Sequence, residues 1–236
     1  MTTPQQLLVR DAARDNAAWC AVMCRVHGVE SAFEEETWAA ARRTPVYYPD
    51  AVTLRPGADP IALVARIDTV SPGASVKDSF ADLDLTAAGF RVLFEAEWIH
   101  RAAGGSVAAP DLAWEVVSDP DALRDWALAW DDGGGNADLF GPGLLDVPET
   151  FVLAGRSADG RVVCGAVAGR SSRVVGVSNV FGPPDAAWPL VLHAVGQLFP
   201  ALPVVGYEQG AGLAAALRYG FEAVGPLRVW VHERSA

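Results

Sequence analysis

Residues 203–231 read Pro203-Val-Val-Gly-Tyr-Glu-Gln-Gly-Ala-Gly-Leu-Ala-Ala-Ala-Leu-Arg-Tyr-Gly-Phe-Glu-Ala-Val-Gly-Pro-Leu-Arg-Val-Trp-Val231. The apolar run at Val204 predicts a buried strand. A Gly-rich turn follows, then a short Ala-rich helix that Gly220 closes, then a last strand up to Val231. Strand, helix and strand in so few residues belong to an α/β chain, and the segment before it extends the pattern.

Upstream, Leu112 to Val117 predicts a short strand. Asp119 is placed to cap a helix with Pro120 at its first position, where a missing N–H costs nothing. Leu123, Trp126, Ala127 and Trp130 recur at helical spacing, and Asp132-Gly-Gly-Gly-Asn136 ends the run. Thr150 to Arg156 meets Val162 to Arg170 through Asp159-Gly160, a dipeptide suited to a tight hairpin. Ser171-Ser172 turns the chain into Val174 to Phe181. Three strands joined this closely must form an antiparallel meander. A helix from Ala186 to Phe199 stops before Pro200. Val174–Phe181, that helix and the strand at Val204 then make a β-α-β crossover, which favours parallel pairing.

The order β, α, β-β-β, α, β, α, β over about residues 112 to 234 resembles the GNAT superfamily, the acyl-CoA-dependent N-acyltransferases. The resemblance implies an α/β (α+β) fold, a mixed β-sheet flanked by helices. It divides the chain into residues 1–108 and a GNAT-like domain at 109–236, around the small, nearly uncharged segment Ala102 to Asp111. In the first half, Asp15 to His27 predicts an amphipathic helix, and Ala51–Arg55 and Ile61–Ile67 predict strands. Gly89-Phe90 followed by an aromatic-ended strand parallels Gly220-Phe221 in the second half. Two readings stay open: two GNAT-like halves, or an extension packed on one such domain.

The resemblance also implies acetyl-CoA as cofactor and an acetyl transfer to a small amine, with no metal. In such enzymes the pyrophosphate rests on backbone N–H groups between the fourth strand and the next helix, in a loop rich in glycine. Here that junction offers Asn179, Val180, Phe181 and Gly182. Pro183 and Pro184 remove two donors, and Asp185 adds a negative charge or serves as a helix cap. The family's frequent tyrosine acid, four residues before the Gly-Phe pair, is replaced by Ala216. Tyr219 lies beside Gly220 instead.

Other candidates come from the residues themselves. Tyr207 and Glu208 end the strand after Val205, where open α/β sheets place ligands, and a partly buried Glu208 would suit a general base. Ser178 and Asn179 interrupt an apolar strand, as ligand contacts or as partners of neighbouring backbone. Lys77 is the sole lysine beside seventeen arginines, and lysine, unlike arginine, can lose its proton when buried. Glu95, Glu97 and His100 interleave with apolar residues and could line an acidic cleft for an amine. Cys20, Cys24 and His27 share one helical face, a spacing for metal ligands or for small buried thiols.

Composition bounds the function. A formal charge of −11 weighs against nucleic acid, whose phosphates require a basic footprint. No stretch approaches the ~18 uncharged residues of a membrane helix. Three cysteines and an N-terminus without a basic patch and apolar core predict a reducing, cytoplasmic setting. The oligomeric state is not readable.

Overall fold

The computed structural model describes residues 3–105 and 111–233. In chain order the elements are α1 (Pro4–Val26), β1 (Ser31–Phe33), β2 (Thr37–Ala40), β3 (Ala51–Thr53), α2 (Pro60–Val64), β4 (Ser75–Asp78) and β5 (Phe90–Arg101). Then come β6 (Ala113–Val116), α3 (Pro120–Asp131), β7 (Thr150–Arg156), β8 (Val162–Arg170), β9 (Val175–Phe181) and α4 (Pro184–Leu198). β10 (Val204–Glu208), α5 (Gly210–Arg218) and β11 (Glu222–His232) close the chain. The expected linker from Ala102 to Asp111 falls partly outside the described residues.

Two compact units form. One holds the chain up to Trp98, Tyr207–Gln209 and the residues from Ala223 onward. The other holds Ile99–Gly206 and Gly210–Glu222. Each carries a mixed sheet with helices on it, in agreement with the fold class read from the sequence.

In the second unit the strand order is β10-β9-β8-β7-β6. β7, β8 and β9 pair antiparallel as the expected meander, β6 adds to β7 antiparallel, and β10 joins β9 in parallel with Val204 opposite Val175. The Asp119 carboxylate accepts from Ala122 N–H at 2.9 Å and starts α3 as predicted. At the other end of α5, Gly220 takes φ +82°, a left-handed turn that glycine adopts without strain. The core sits between α4 and the sheet, where Leu190, Val191, Leu153 and Ala166 are fully buried. Burying a side chain such as Leu190 stabilises by about 1.5–3 kcal/mol.

In the first unit the order is β1-β2-β3-β4-β11-β5. β3 and β4 run parallel, while β4 and β11 pair antiparallel with Lys77 opposite Val229 and Ser75 opposite Val231. Side chains alternate across a strand, so Ser75, Lys77, Val229 and Val231 share one face. Val76 and Trp230 turn to the other face, into a core with Leu63 of α2.

Two expectations need correction here. Ile61–Ile67 is not a strand, because Asp59 accepts from Ile61 and Ala62 N–H with Pro60 next in line, and this cap starts α2. α1 begins eleven residues before Asp15, since Thr3 and Gln6 form a reciprocal capping box ahead of it.

Candidate functional site

Two places carry the candidate residues, one in each unit. In the second unit, β9 leads into α4. The pairing of β9 with β8 shifts register between Gly165 and Val167, and Asn179 takes a left-handed φ of +55°. Together these mark a bulge, in which one extra residue re-aims the strand end. Ser178, Asn179, Val180 and Phe181 are all half-buried, so the polar pair does not sit in a dry core as its neighbours suggested. Phe181 sets its ring edge-on to Trp126, with centroids 5.2 Å apart. That ring is a packing group.

Gly182, at φ +94°, has no room for a side chain. A Cβ there would lie 2.5 Å from Cys164 Cβ and 2.5 Å from the Val163 carbonyl oxygen. The glycine lets the chain pass close over β8. Pro183 is the N-cap of α4 and Pro184 its first residue, without any side-chain cap bond. Asp185, at the second helical position, does not cap. Its Oδ1 accepts from the Tyr219 hydroxyl at 3.0 Å and stands 3.5 Å from Arg218 Nη2. Partial burial first, and then the Asp185 carboxylate, push the Tyr219 phenol up from its ordinary range, so it stays a donor. Tyr219 thus points at the start of α4, a destination its position beside Gly220 did not reveal.

This helix start does not fit a diphosphate. Two of its residues lack an N–H, a side chain on its glycine would collide with β8, and the Asp185 carboxylate adds a negative charge in the first turn.

In the first unit, β10 ends on Tyr207 and Glu208. Burial pushes the Glu208 carboxyl up to about 7, opposed in part by the Gln209 amide. A carboxylate near neutrality is suited to removing a proton from an ammonium group. Tyr207 lies beside a second candidate: Lys77 Nζ stands 3.9 Å above its ring, and Nζ donates to Asn16 Oδ1 at 2.7 Å. Lys77 and Tyr207 are therefore brought together from positions far apart in the chain. Trp98 packs edge-on to Tyr207, centroids 5.8 Å apart, and donates its Nε1–H to the Ser79 carbonyl at 2.8 Å. Nothing in the sequence marked Asn16 as a partner of Lys77, or Trp98 as a neighbour of Tyr207.

Glu97 is half-buried on β5, and its neighbour Glu95 is engaged by Arg228 at 2.8 Å. Asp78, fully buried, accepts backbone N–H bonds from Leu83 at 3.0 Å and Asp82 at 3.3 Å, which fixes the loop after β4. Cys20 and Cys24 are buried while His27 is exposed at the end of α1. Among the described residues no group of three side chains is placed to hold a metal ion, and no helix is long and apolar enough to cross a membrane.

No protein-family model matches the sequence. No curated protein resembles it in sequence. Solved structures do resemble its fold. A GCN5-related N-acetyltransferase from Kribbella flavida superposes with a TM-score of 0.62, over 95% of this chain and 96% of its own, at 14% identity. A protein assigned to the GNAT acetyltransferase family, from Novosphingobium aromaticivorans, gives 0.58 over 94% and 99% at 16% identity. A GCN5-related N-acetyltransferase from Sphaerobacter thermophilus gives 0.55 over 95% and 93% at 11% identity.

Proposed function

We propose that this chain, which has the GCN5-related N-acetyltransferase fold in a divergent form, is an acetyltransferase that accepts a small amine and binds acetyl-CoA weakly. The observation that carries the reading is Glu208. It stands at the C-terminal end of β10 with its carboxyl lifted to about 7 by burial, ready to take the proton from an ammonium acceptor near neutral pH. Tyr207 precedes it and contributes an aromatic wall. Glu97, half-buried on β5, is a further candidate for acceptor contact.

The start of α4 argues against tight binding of the donor, so no transfer step is assigned to it. That same observation favours a second reading, in which the fold has lost catalysis and serves as a ligand-binding or protein-interaction module. Acetyl transfer to a panel of polyamines and aminoglycosides separates the two. Turnover that Glu208→Gln abolishes supports the enzyme, with kcat rising through about pH 7 in the unaltered protein. No transfer to any acceptor at millimolar acetyl-CoA supports the module.

A further inference from the structure

The first unit contains a cavity of about 450 Å³ whose walls include Arg43, Lys77, Phe94, Tyr207, Val229 and Val231. Its floor is the β4–β11 face that carries Ser75, Lys77, Val229 and Val231 in register. We propose that this cavity binds a small aromatic monocarboxylate, with Lys77 as the cationic anchor of the carboxylate.

The argument begins with charge. Lys77 is 3% exposed, and a buried ammonium is costly unless an anion compensates it. Its partners are neutral: the Asn16 side-chain oxygen and the face of Tyr207. None of the ion pairs among the described residues includes Lys77. The two buried carboxylates of this unit are committed elsewhere. Asp50 pairs with Arg43 and accepts from Ser75 N–H at 2.7 Å and Thr44 N–H at 3.0 Å. Asp78 holds the amides of the loop after β4. Arg43, although on the wall, is therefore already neutralised, and one uncompensated positive charge remains. That selects a monoanion over a phosphate or a dicarboxylate.

The remaining walls define the body of the ligand. Phe94, Tyr207, Val229 and Val231 offer aromatic and branched apolar surface, and the volume falls in the range of small-molecule pockets. An aryl ring on a short arm matches both the charge and the lining. Glu208 does not line the cavity, although Tyr207, the residue before it, is a wall of both sites, so the Lys77 site is tested without any acyl transfer.

Because Lys77 is the sole lysine, protein labelled with ¹⁵N-lysine reports on this side chain alone. The full chain is titrated with 3-phenylpropionate and, separately, with its neutral isostere 3-phenylpropionamide. The acid is expected to bind about tenfold or more tightly than the amide and to shift the Lys77 side-chain resonances saturably, which the amide does not. Lys77→Met is expected to bring the two affinities within about twofold of each other. Equal affinities in the unaltered protein, a Lys77 signal unmoved at saturation by the acid, or no binding of either probe up to about 10 mM would each overturn the proposal. The spectroscopic titration stands even where the variant fails to fold.

Discussion

The Tyr219 hydroxyl donates to Asp185 Oδ1 at 3.0 Å, so the tyrosine after α5 reaches the first turn of α4. A carboxylate beside a helix N-terminus satisfies the positive end of the helix dipole. An incoming phosphate would meet that carboxylate and two prolines instead of free N–H donors. The pair therefore adds a negative charge, and no donor, at a helix start where a diphosphate needs free N–H groups.

Acetyl-CoA is accordingly expected to bind with a dissociation constant above about 100 μM, because losing two charge-assisted bonds weakens binding by orders of magnitude. Asp185→Asn removes the opposing charge and should tighten binding severalfold, without restoring the donors that the prolines lack. Calorimetry on both proteins checks this. Low-micromolar binding by the unaltered protein, or no change in the variant, contradicts the account.

Glu208 makes a prediction about stability. Burial raises its carboxyl from the ordinary 4.5 to about 7 in the folded chain. Below pH 4.5 both states hold the proton and no cost arises. Between 4.5 and 7 the unfolded chain releases its proton more readily, so stability falls, by roughly 3 kcal/mol at most above pH 7. Glu208→Gln should therefore match the unaltered protein at pH 4 and exceed it at pH 8 in urea denaturation. A constant difference between the two across that range would show that burial does not perturb this group.

How legible the chain was depended on length and on local signals. β7 and β8 were readable to the residue because seven- and nine-residue strands flank an Asp159-Gly160 turn. β3 lies within the strand expected at Ala51–Arg55, whereas β1 and β2, of three and four residues, are too short to show a period. Ile61 to Ile67 is expected as a strand beyond the Pro56-Gly57 turn, yet Ile61 is 81% exposed and the Asp59-Pro60 cap decides the conformation. The candidate residues were partly legible. Glu208 and the prolines after Gly182 could be placed from strand order. The meeting of Lys77 with Asn16 and Tyr207 could not, because side chains 61 and 130 positions away in sequence converge there.

Trp126 links α3 to the bulged end of β9. It is fully buried, donates Nε1–H to the Leu153 carbonyl at 2.9 Å, and packs edge-on against Phe140 and Phe181. Trp126→Phe keeps an aromatic ring but loses that donor and part of the volume. A loss of about 2–4 kcal/mol is expected, with amide exchange accelerated at Ser178–Phe181 more than at Val152. Exchange unaltered at the end of β9 would mean that Trp126 does not hold it.

The final test separates a glycine that serves packing from one that serves a turn. Gly182 and Gly160 both have positive φ, +94° and +85°, so alanine strains the backbone at either site by about 1–3 kcal/mol. At Gly160 nothing lies within 4 Å of the added methyl, whereas at Gly182 it would meet Cys164 and the Val163 carbonyl at 2.5 Å. The second collision is with backbone and a β-carbon, which cannot rotate away, so overpacking adds a further ~1–3 kcal/mol. Gly182→Ala should then lower the urea midpoint well beyond Gly160→Ala. Equal losses in the two variants would show that Gly182 is not pressed against β8, and the space above it would be open to a ligand after all.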